Sequence, residues 1–329
     1  MSAAAHRAAE TGSVLDLQSR KWLVDLLQTA VWFDESMARH TSLRVGGAAD
    51  AFAVPASCGQ VTALIDGARR RQIPVFVVGR GTNLLVRDGG IRGLVVSTER
   101  LTGIRLAPAR DAAGRRRVTA MAGTPLPGLC RFALQHALAG MNFAVGIPGS
   151  VGGAIAMNAG TADGSISQVL TAVRLLTADG RIVSQPRENL RFGYRRLDLL
   201  PEVQTTGGRR PLILEGTFSL TPGERPVLRK DARRRIRARR ATQPLTVPSA
   251  GCMFRNPPGR YAAGALIEQA GLKGKRIGGA RISTRHANFI INTGHATAAD
   301  VLALMETIQE AVWRCCGVRL QPEVVIAGE

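Results

Sequence analysis

The chain has 329 residues, 45% apolar and 4% aromatic, and 44 Lys and Arg against 24 Asp and Glu give a formal net charge of +20. That length suits two or three domains with real cores, and no window approaches the ~18 unbroken apolar residues of a membrane span. The charge fits either nucleic acid or a phosphate-rich small ligand, but so few aromatics are poor material for base-stacking platforms.

Taken in order, the first thirty residues lack the charged, apolar, small-residue order of a signal peptide. Leu15, Leu17, Trp22, Leu23, Leu26 and Leu27 suit an amphipathic helix, so 1–30 reads as a helical extension. A polar, glycine-ended loop covers 40–47. A strand is expected over 50–54, then a helix capped by Ser57 and running to about 71, with Val61, Leu64, Ile65 and Ala68 on one face. Val75-Phe76-Val77-Val78 reads as a buried strand. It empties into Gly79-Arg80-Gly81-Thr82-Asn83-Leu84-Leu85-Val86. This turn is either a phosphate cradle, with Thr82 and Asn83 as side-chain donors and Arg80 as cation, or a β-turn closing a hairpin. Strands over 94–96 and 117–121 follow, and Thr124-Pro125 starts a helix expected over 125–138.

The stretch around which the chain is organised is Gly146-Ile147-Pro148-Gly149-Ser150-Val151-Gly152-Gly153-Ala154-Ile155-Ala156-Met157-Asn158-Ala159-Gly160. Glycine permits positive φ and close approach of a ligand, and small residues from Ser150 onward can open a short helix. Successive N–H groups there would cradle an anion such as a pyrophosphate; the alternative is a tight turn where helix packs on strand. Neither of the two commonest nucleotide fingerprints is present.

Strands at 172–177 and 181–184 flank the turn Ala178-Asp179-Gly180, and another covers 212–220. Thr221-Pro222-Gly223-Glu224-Arg225-Pro226 has the composition of a domain boundary. The run from Arg229 to Arg240 reads first as a helix with a solvated basic face, second as a wall guiding an anionic substrate, third as a nucleic-acid contact. A proline-braced loop over 243–257 presents one thiol, Cys252. A helix over 262–270, a strand near 287–291, a helix from the cap Thr297 to 316 and a closing strand over 318–326 complete an α+β pattern. The five cysteines, Cys58, Cys130, Cys252, Cys315 and Cys316, form no Cys-x-x-Cys pair. That argues against a disulfide framework or a zinc site and for a reducing, cytoplasmic setting.

Six motifs in order carry a resemblance over about 41–323. They are Thr41-Ser42-Leu43-Arg44-Val45-Gly46-Gly47, Gly79-Arg80-Gly81-Thr82-Asn83-Leu84-Leu85, Gly146-Ile147-Pro148-Gly149-Ser150-Val151-Gly152-Gly153, Phe192-Gly193-Tyr194-Arg195, Ser249-Ala250-Gly251-Cys252-Met253-Phe254-Arg255-Asn256-Pro257 and Gln321-Pro322-Glu323-Val324. With them the chain resembles the UDP-N-acetylenolpyruvoylglucosamine reductases (UDP-N-acetylmuramate dehydrogenases), in their second, shorter type. The resemblance implies an α+β fold: a two-subdomain FAD-binding domain of the vanillyl-alcohol-oxidase type over 31–222 and a UDP-sugar domain over 223–329. It implies FAD held by Arg80, Gly81, Thr82, Asn83, Leu84, Gly146, Ile147, Pro148, Gly149, Ser150, Gly152, Gly153 and Asn158. It further implies NADPH as reductant, a small-molecule substrate, a monomer, and neither metal, membrane nor specific nucleic-acid partner.

The implied reaction passes a hydride from NADPH to the flavin, and from flavin N5 to the enolpyruvyl ether of UDP-N-acetylglucosamine. Cys252 occupies the position of the family's proton donor, which is serine in many members. A thiol with pKa near ~8.5 is mostly protonated at neutral pH and can donate. Arg195 matches the active-site arginine and Glu323 the catalytic glutamate, both set to stabilise an enolate. To help beside a thiol and an enolate, Glu323 has to be protonated, which requires a raised pKa. Tyr194, Arg255 and Asn256 are assigned to substrate binding, while Arg196 and His286 are left as structural. Two other readings remain: a sugar or alcohol oxidase of the same superfold, and a nucleic-acid-binding protein built on 229–240.

Overall fold

The computed structural model describes residues 13–177, 179–199 and 211–329. The first twelve residues of the expected extension, and Ala178 in the expected turn, lie outside the described residues. The helices are α1 (Leu17–Leu27), α2 (Cys58–Arg70), α3 (Leu126–Gln135), α4 (Val151–Ala156), α5 (Arg225–Thr242), α6 (Ala263–Gln269) and α7 (Ala298–Cys316). The longer strands, with β14 and the other short ones that the site uses, are β1 (Val31–Ser36), β2 (Ala48–Ala53), β3 (Val75–Val78), β4 (Leu84–Val86), β5 (Ile91–Ser97), β6 (Ile104–Arg110), β7 (Arg116–Met121), β8 (Leu170–Leu176), β9 (Ile182–Pro186), β10 (Leu190–Gly193), β11 (Arg196–Leu199), β12 (Leu212–Pro222), β13 (Ser249–Cys252), β14 (Arg276–Ile277), β15 (Ala280–Ile282), β16 (Phe289–Asn292) and β17 (Val325–Ala327).

The caps follow from local chemistry. Asp16 accepts from the Ser19 N–H at 2.7 Å and starts α1. Ser57 does the same for α2 through Gln60, at 3.2 Å. Thr297 and Asp300 form a capping box on α7, which ends at Gly317 with φ +67°. Each cap satisfies N–H groups that a helix end leaves open. Helix α3 stops at Gln135, short of the expected 138, because Ala137 turns left-handed (φ +52°) and Leu138–Ala139 pairs with the end of β12.

Two compact units result. Unit 1 takes its described residues from Met1–Trp32, Ala51–Arg80 and Gly93–Arg237, and unit 2 from Phe33–Asp50, Gly81–Arg92 and Ala238–Glu329. This grouping is not the succession of segments 1–30, 31–222 and 223–329 that the sequence suggests. The reason lies in long-range pairing: β17 runs parallel to β4, with Val325 opposite Leu84. The Asp88 carboxylate also accepts from Ala298 and Ala299 at the start of α7, both at 2.8 Å.

Unit 1 contains an antiparallel sheet in the order β9-β8-β12-β7-β6. Val118, Leu126, Leu129, Val151, Ile155, Val173 and Phe218 form a buried core between that sheet, α3 and α4. Strand β3 runs parallel to β5 at the edge of the order β1-β2-β5-β3. It is not the buried strand its composition suggests: Val75 and Phe76 are half-buried and Val77 is 40% exposed. An edge strand has one side of its backbone unpaired, and β3 leads into the site from there. Within unit 1, α5 buries Leu228 and Ala232 and exposes Arg229, Lys230, Arg233 and Arg237. This matches the solvated basic face.

Unit 2 is built on the antiparallel sheet β13-β16-β15-β14. Ala280, Ile282 and Ile290 pack with Val301, Leu304, Met305 and Ile308 of α7 into one core. The closing strand is shorter than expected, only Val325–Ala327. Ahead of it, Pro322 has no N–H to give a ladder, and the segment makes a single bridge to Phe254 instead. No described helix is long and apolar enough to cross a membrane.

Candidate active site

The two glycine turns meet inside unit 1. A Cβ on Gly79 would stand 2.4 Å from the Ser150 hydroxyl oxygen, so no other residue fits there undisturbed. Ser150 is buried and caps α4, its Oγ accepting from the Gly153 N–H at 3.4 Å. The sequence points to the first amides of α4 as an anion cradle, and here the structure differs. The Val151 N–H donates to Thr124 O at 2.9 Å and the Gly152 N–H to Ala122 O at 2.8 Å. The first turn of α4 is therefore spent on protein. Gly152 serves packing, since a Cβ there would lie 2.9 Å from Ala122 Cβ.

The open donors lie just ahead of the helix. Among the described residues, the N–H groups of Gly146, Gly149, Ser150, Gly79 and Arg80 meet no acceptor. Gly146 and Gly149 take φ +81° and +118°, with Pro148 between them and the Ile147 N–H tied to Ala144 O at 3.0 Å. Exposed backbone donors of this kind form an anion-binding nest. Asn158, expected at the cofactor, uses its amide within the protein. Its Nδ2 donates to Gly193 O at 3.1 Å and its Oδ1 accepts from the Ser167 N–H at 3.1 Å.

Asn158 thereby holds the β10–β11 hairpin, whose turn is Tyr194-Arg195. Arg195 is left-handed at φ +55°, a strain of about 1 kcal/mol for a long side chain. Its Nη1 donates to Gly160 O at 3.1 Å, and its guanidinium lies 5.0 Å from the centre of the half-exposed Tyr194 ring. Neighbouring Arg196 is a surface ion pair with Asp198, at 2.7 Å.

Unit 2 has its own run of open donors over residues 81–83. Gly81, at φ +59°, passes so close to His40 that a Cβ would stand 1.9 Å from its carbonyl oxygen. The N–H groups of Gly81, Thr82 and Asn83 meet no acceptor among the described residues. The Asn83 side chain is not open, since its Nδ2 donates to Glu323 O at 3.0 Å, and the Asn83 backbone carbonyl accepts from the Val325 N–H at 3.0 Å. Leu84 is buried as the first residue of β4.

Cys252 ends β13 opposite Phe289. One extra residue bulges between Ser249 and Cys252, where Gly251 takes φ +78°. The loop beyond is fixed by buried Asn288, whose Oδ1 accepts from the Phe254 N–H at 3.0 Å while its Nδ2 donates to Phe254 O at 2.8 Å. The C-terminal segment lies alongside. The Glu323 N–H donates to Met253 O at 2.8 Å, and the Arg255 N–H to Gln321 O at 2.9 Å. Unit 2 thus brings Cys252, Arg255 and Glu323 onto two adjoining segments.

Arg255 buries its Nε without a hydrogen-bond partner among the described residues. Asn256, expected at substrate, accepts from the Ala263 N–H at 3.0 Å and so caps α6. His286 lies 4.8 Å from the Phe289 ring, tilted by 59°; burial first, then the charge of Lys273, pushes its pKa below the ordinary value. Sequence reasoning missed Asn288 and the Asn83 clamp, because their partners lie 34 and 240 positions away with no local pattern to announce them.

Residues 49–185 match the family described as FAD binding domain, and residues 243–327 match UDP-N-acetylenolpyruvoylglucosamine reductase, C-terminal domain. A protein from Desulfosudis oleivorans named UDP-N-acetylenolpyruvoylglucosamine reductase is 44% identical over 315 residues, 96% of this chain and 100% of that one. One of the same name from Heliobacterium modesticaldum is 43% identical over 90% of each chain. The crystal structure of the Thermus caldophilus reductase aligns with a TM-score of 0.71 at 34% identity, over 88% of this chain and 97% of that one.

Proposed function

Because the chain belongs to the UDP-N-acetylenolpyruvoylglucosamine reductase family, we propose that it reduces UDP-N-acetylglucosamine enolpyruvate to UDP-N-acetylmuramate, with NADPH as reductant. The observation that carries this reading is the seating of Glu323 on Met253, directly after Cys252. A thiol and a carboxyl group on adjoining segments suit an alkene reduction, in which one carbon takes a hydride and its neighbour a proton.

The residues present fit FAD. The N–H groups of Gly79, Arg80, Gly146, Gly149 and Ser150 in unit 1, which meet no acceptor among the described residues, suit its pyrophosphate. Glycines at 79 and 81 keep side chains out of the way. When bound, FAD supplies the hydride that NADPH provides.

The protein's own part is orientation and proton transfer. Cys252 gives its proton to the substrate carbon beside the one that accepts hydride. Arg195 supplies a planar, two-pronged donor for the substrate carboxylate, where negative charge grows in the transition state. Glu323, when protonated, is the further hydrogen-bond donor this reading assigns to the developing charge. Tyr194 and Arg255 bind the rest of the substrate, and Arg255 brings a buried guanidinium Nε that meets no protein acceptor among the described residues.

The test is anaerobic. NADPH should bleach the yellow holoenzyme, and the enolpyruvyl substrate should restore the colour as product forms. Cys252→Ala should still bleach but lose product formation by roughly 10³-fold, while Cys252→Ser should keep substantial turnover. Full turnover by Cys252→Ala would remove the thiol from this role.

A further inference from the structure

Sheet register carries one residue into the site that neither the motifs nor the family assignment points to. Ser249 and Arg281 both lie opposite Ile291, on its two sides, and Cys252 lies opposite Phe289. Residues directly opposite share a face, and positions two apart on one strand do too. Arg281 therefore projects from the same face of the unit 2 sheet as Cys252. The other face, with Ala280, Ile282 and Ile290, is the one packed on α7.

Arg281 is only half-buried, yet its Nε is fully buried and has no hydrogen-bond partner among the described residues. No described carboxylate pairs with it. Directly opposite it on β14 stands a second cation, Arg276, whose Nη2 reaches only the neutral Thr293 hydroxyl at 3.2 Å. Like charges facing each other across two strands are destabilising, and a desolvated guanidinium nitrogen without an acceptor is more so. An anion is the missing element.

Resting on the proposed function, we propose that Arg281, backed by Arg276, binds the diphosphate of the nucleotide ligand. Two strand spacings and two residues along the strand separate Arg281 from Cys252, roughly 12 Å between Cα atoms. Both side chains rise from that face, and a sugar diphosphate lying across it can bring an ether on one sugar carbon toward Cys252 and its diphosphate, two carbons away, toward Arg281. The same chemistry is offered by the diphosphate of NADPH, and the test separates the two sources.

Binding of UDP to the FAD-loaded enzyme is measured by calorimetry, and steady-state KM values are measured for both substrates. Arg281→Ala should weaken UDP binding by about tenfold or more, raise KM for the UDP-sugar by a similar factor and leave kcat within about threefold. Arg281→Lys should recover part of the loss. A rise in the NADPH KM alone, with UDP binding unchanged, would assign the residue to the other diphosphate and overturn the proposal. Equal UDP affinity in wild type and Arg281→Ala, at unchanged melting temperature, would overturn it as well. A wild-type enzyme that binds no UDP would sink the functional reading beneath it.

Discussion

At the scale of single residues, the site depends on where a side chain is missing. Gly79 leaves room for the Ser150 hydroxyl, and that hydroxyl caps α4. An added methyl group cannot be absorbed by a long flexible neighbour, because the obstacle is a short, buried serine. Gly79→Ala should therefore cost about 1 kcal/mol through the disturbed cap and release FAD on gel filtration, leaving a paler protein. A variant that melts like wild type and keeps its flavin would show that Ser150 shifts freely. Much of this was legible in the sequence, since a glycine turn advertises close approach. What stayed hidden was which amides remain open. The first turn of α4 looks free on paper, but Thr124 and Ala122, 27 and 30 positions upstream of the amides they bind, accept from it. Asn256 reads as a ligand alone, with nothing local to announce that its Oδ1 also accepts from the Ala263 N–H.

At the scale of elements, helices were easier to read than strands. Ser57 and Thr297 are local caps, so α2 and α7 begin where their sequences say. The expected closing strand shrank because strand length is decided by distant partners, and only Leu84, Leu85 and Val86 were there to pair with it. Helix α5 adds a case in which a basic run contains its own counterweight. Burial works against a charge on Asp231, but hydrogen bonds from Arg235, Asn142 and Arg234 prevail and lower its pKa from 3.8 to about 2. A depressed carboxylate pKa adds stability that is fully present above the unfolded value and lost as pH falls through the folded one. Stability should thus decline between about pH 4 and pH 2, and Asp231→Asn should flatten that part of the profile in acid titrations of melting temperature. An unchanged acid limb in the variant would contradict the assignment.

At the scale of the whole molecule, the compact units draw on segments far apart in the chain. The matched C-terminal family spans 243–327, yet unit 2 also needs Phe33–Asp50 and Gly81–Arg92. A fragment of residues 238–329 would lack the partner strand of β17, the Asp88 cap of α7, and Leu43, Val45 and Leu85 of its core. It should show no cooperative melt by circular dichroism, and adding a peptide of residues 81–92 should not by itself restore one. A sharp transition in the fragment would mean that the C-terminal portion is self-sufficient.

The clamp between Asn83 and Glu323 joins positions 240 apart in the chain. Closing a loop of that size costs on the order of 5 kcal/mol in chain entropy before any contact rewards it. Such a junction is expected to form late during folding, after shorter loops have closed. A nascent or partly melted chain therefore carries its thiol without the neighbouring carboxyl group. If Cys252 and Glu323 have the proposed roles, damage to the fold extinguishes the chemistry before it can make that chemistry indiscriminate.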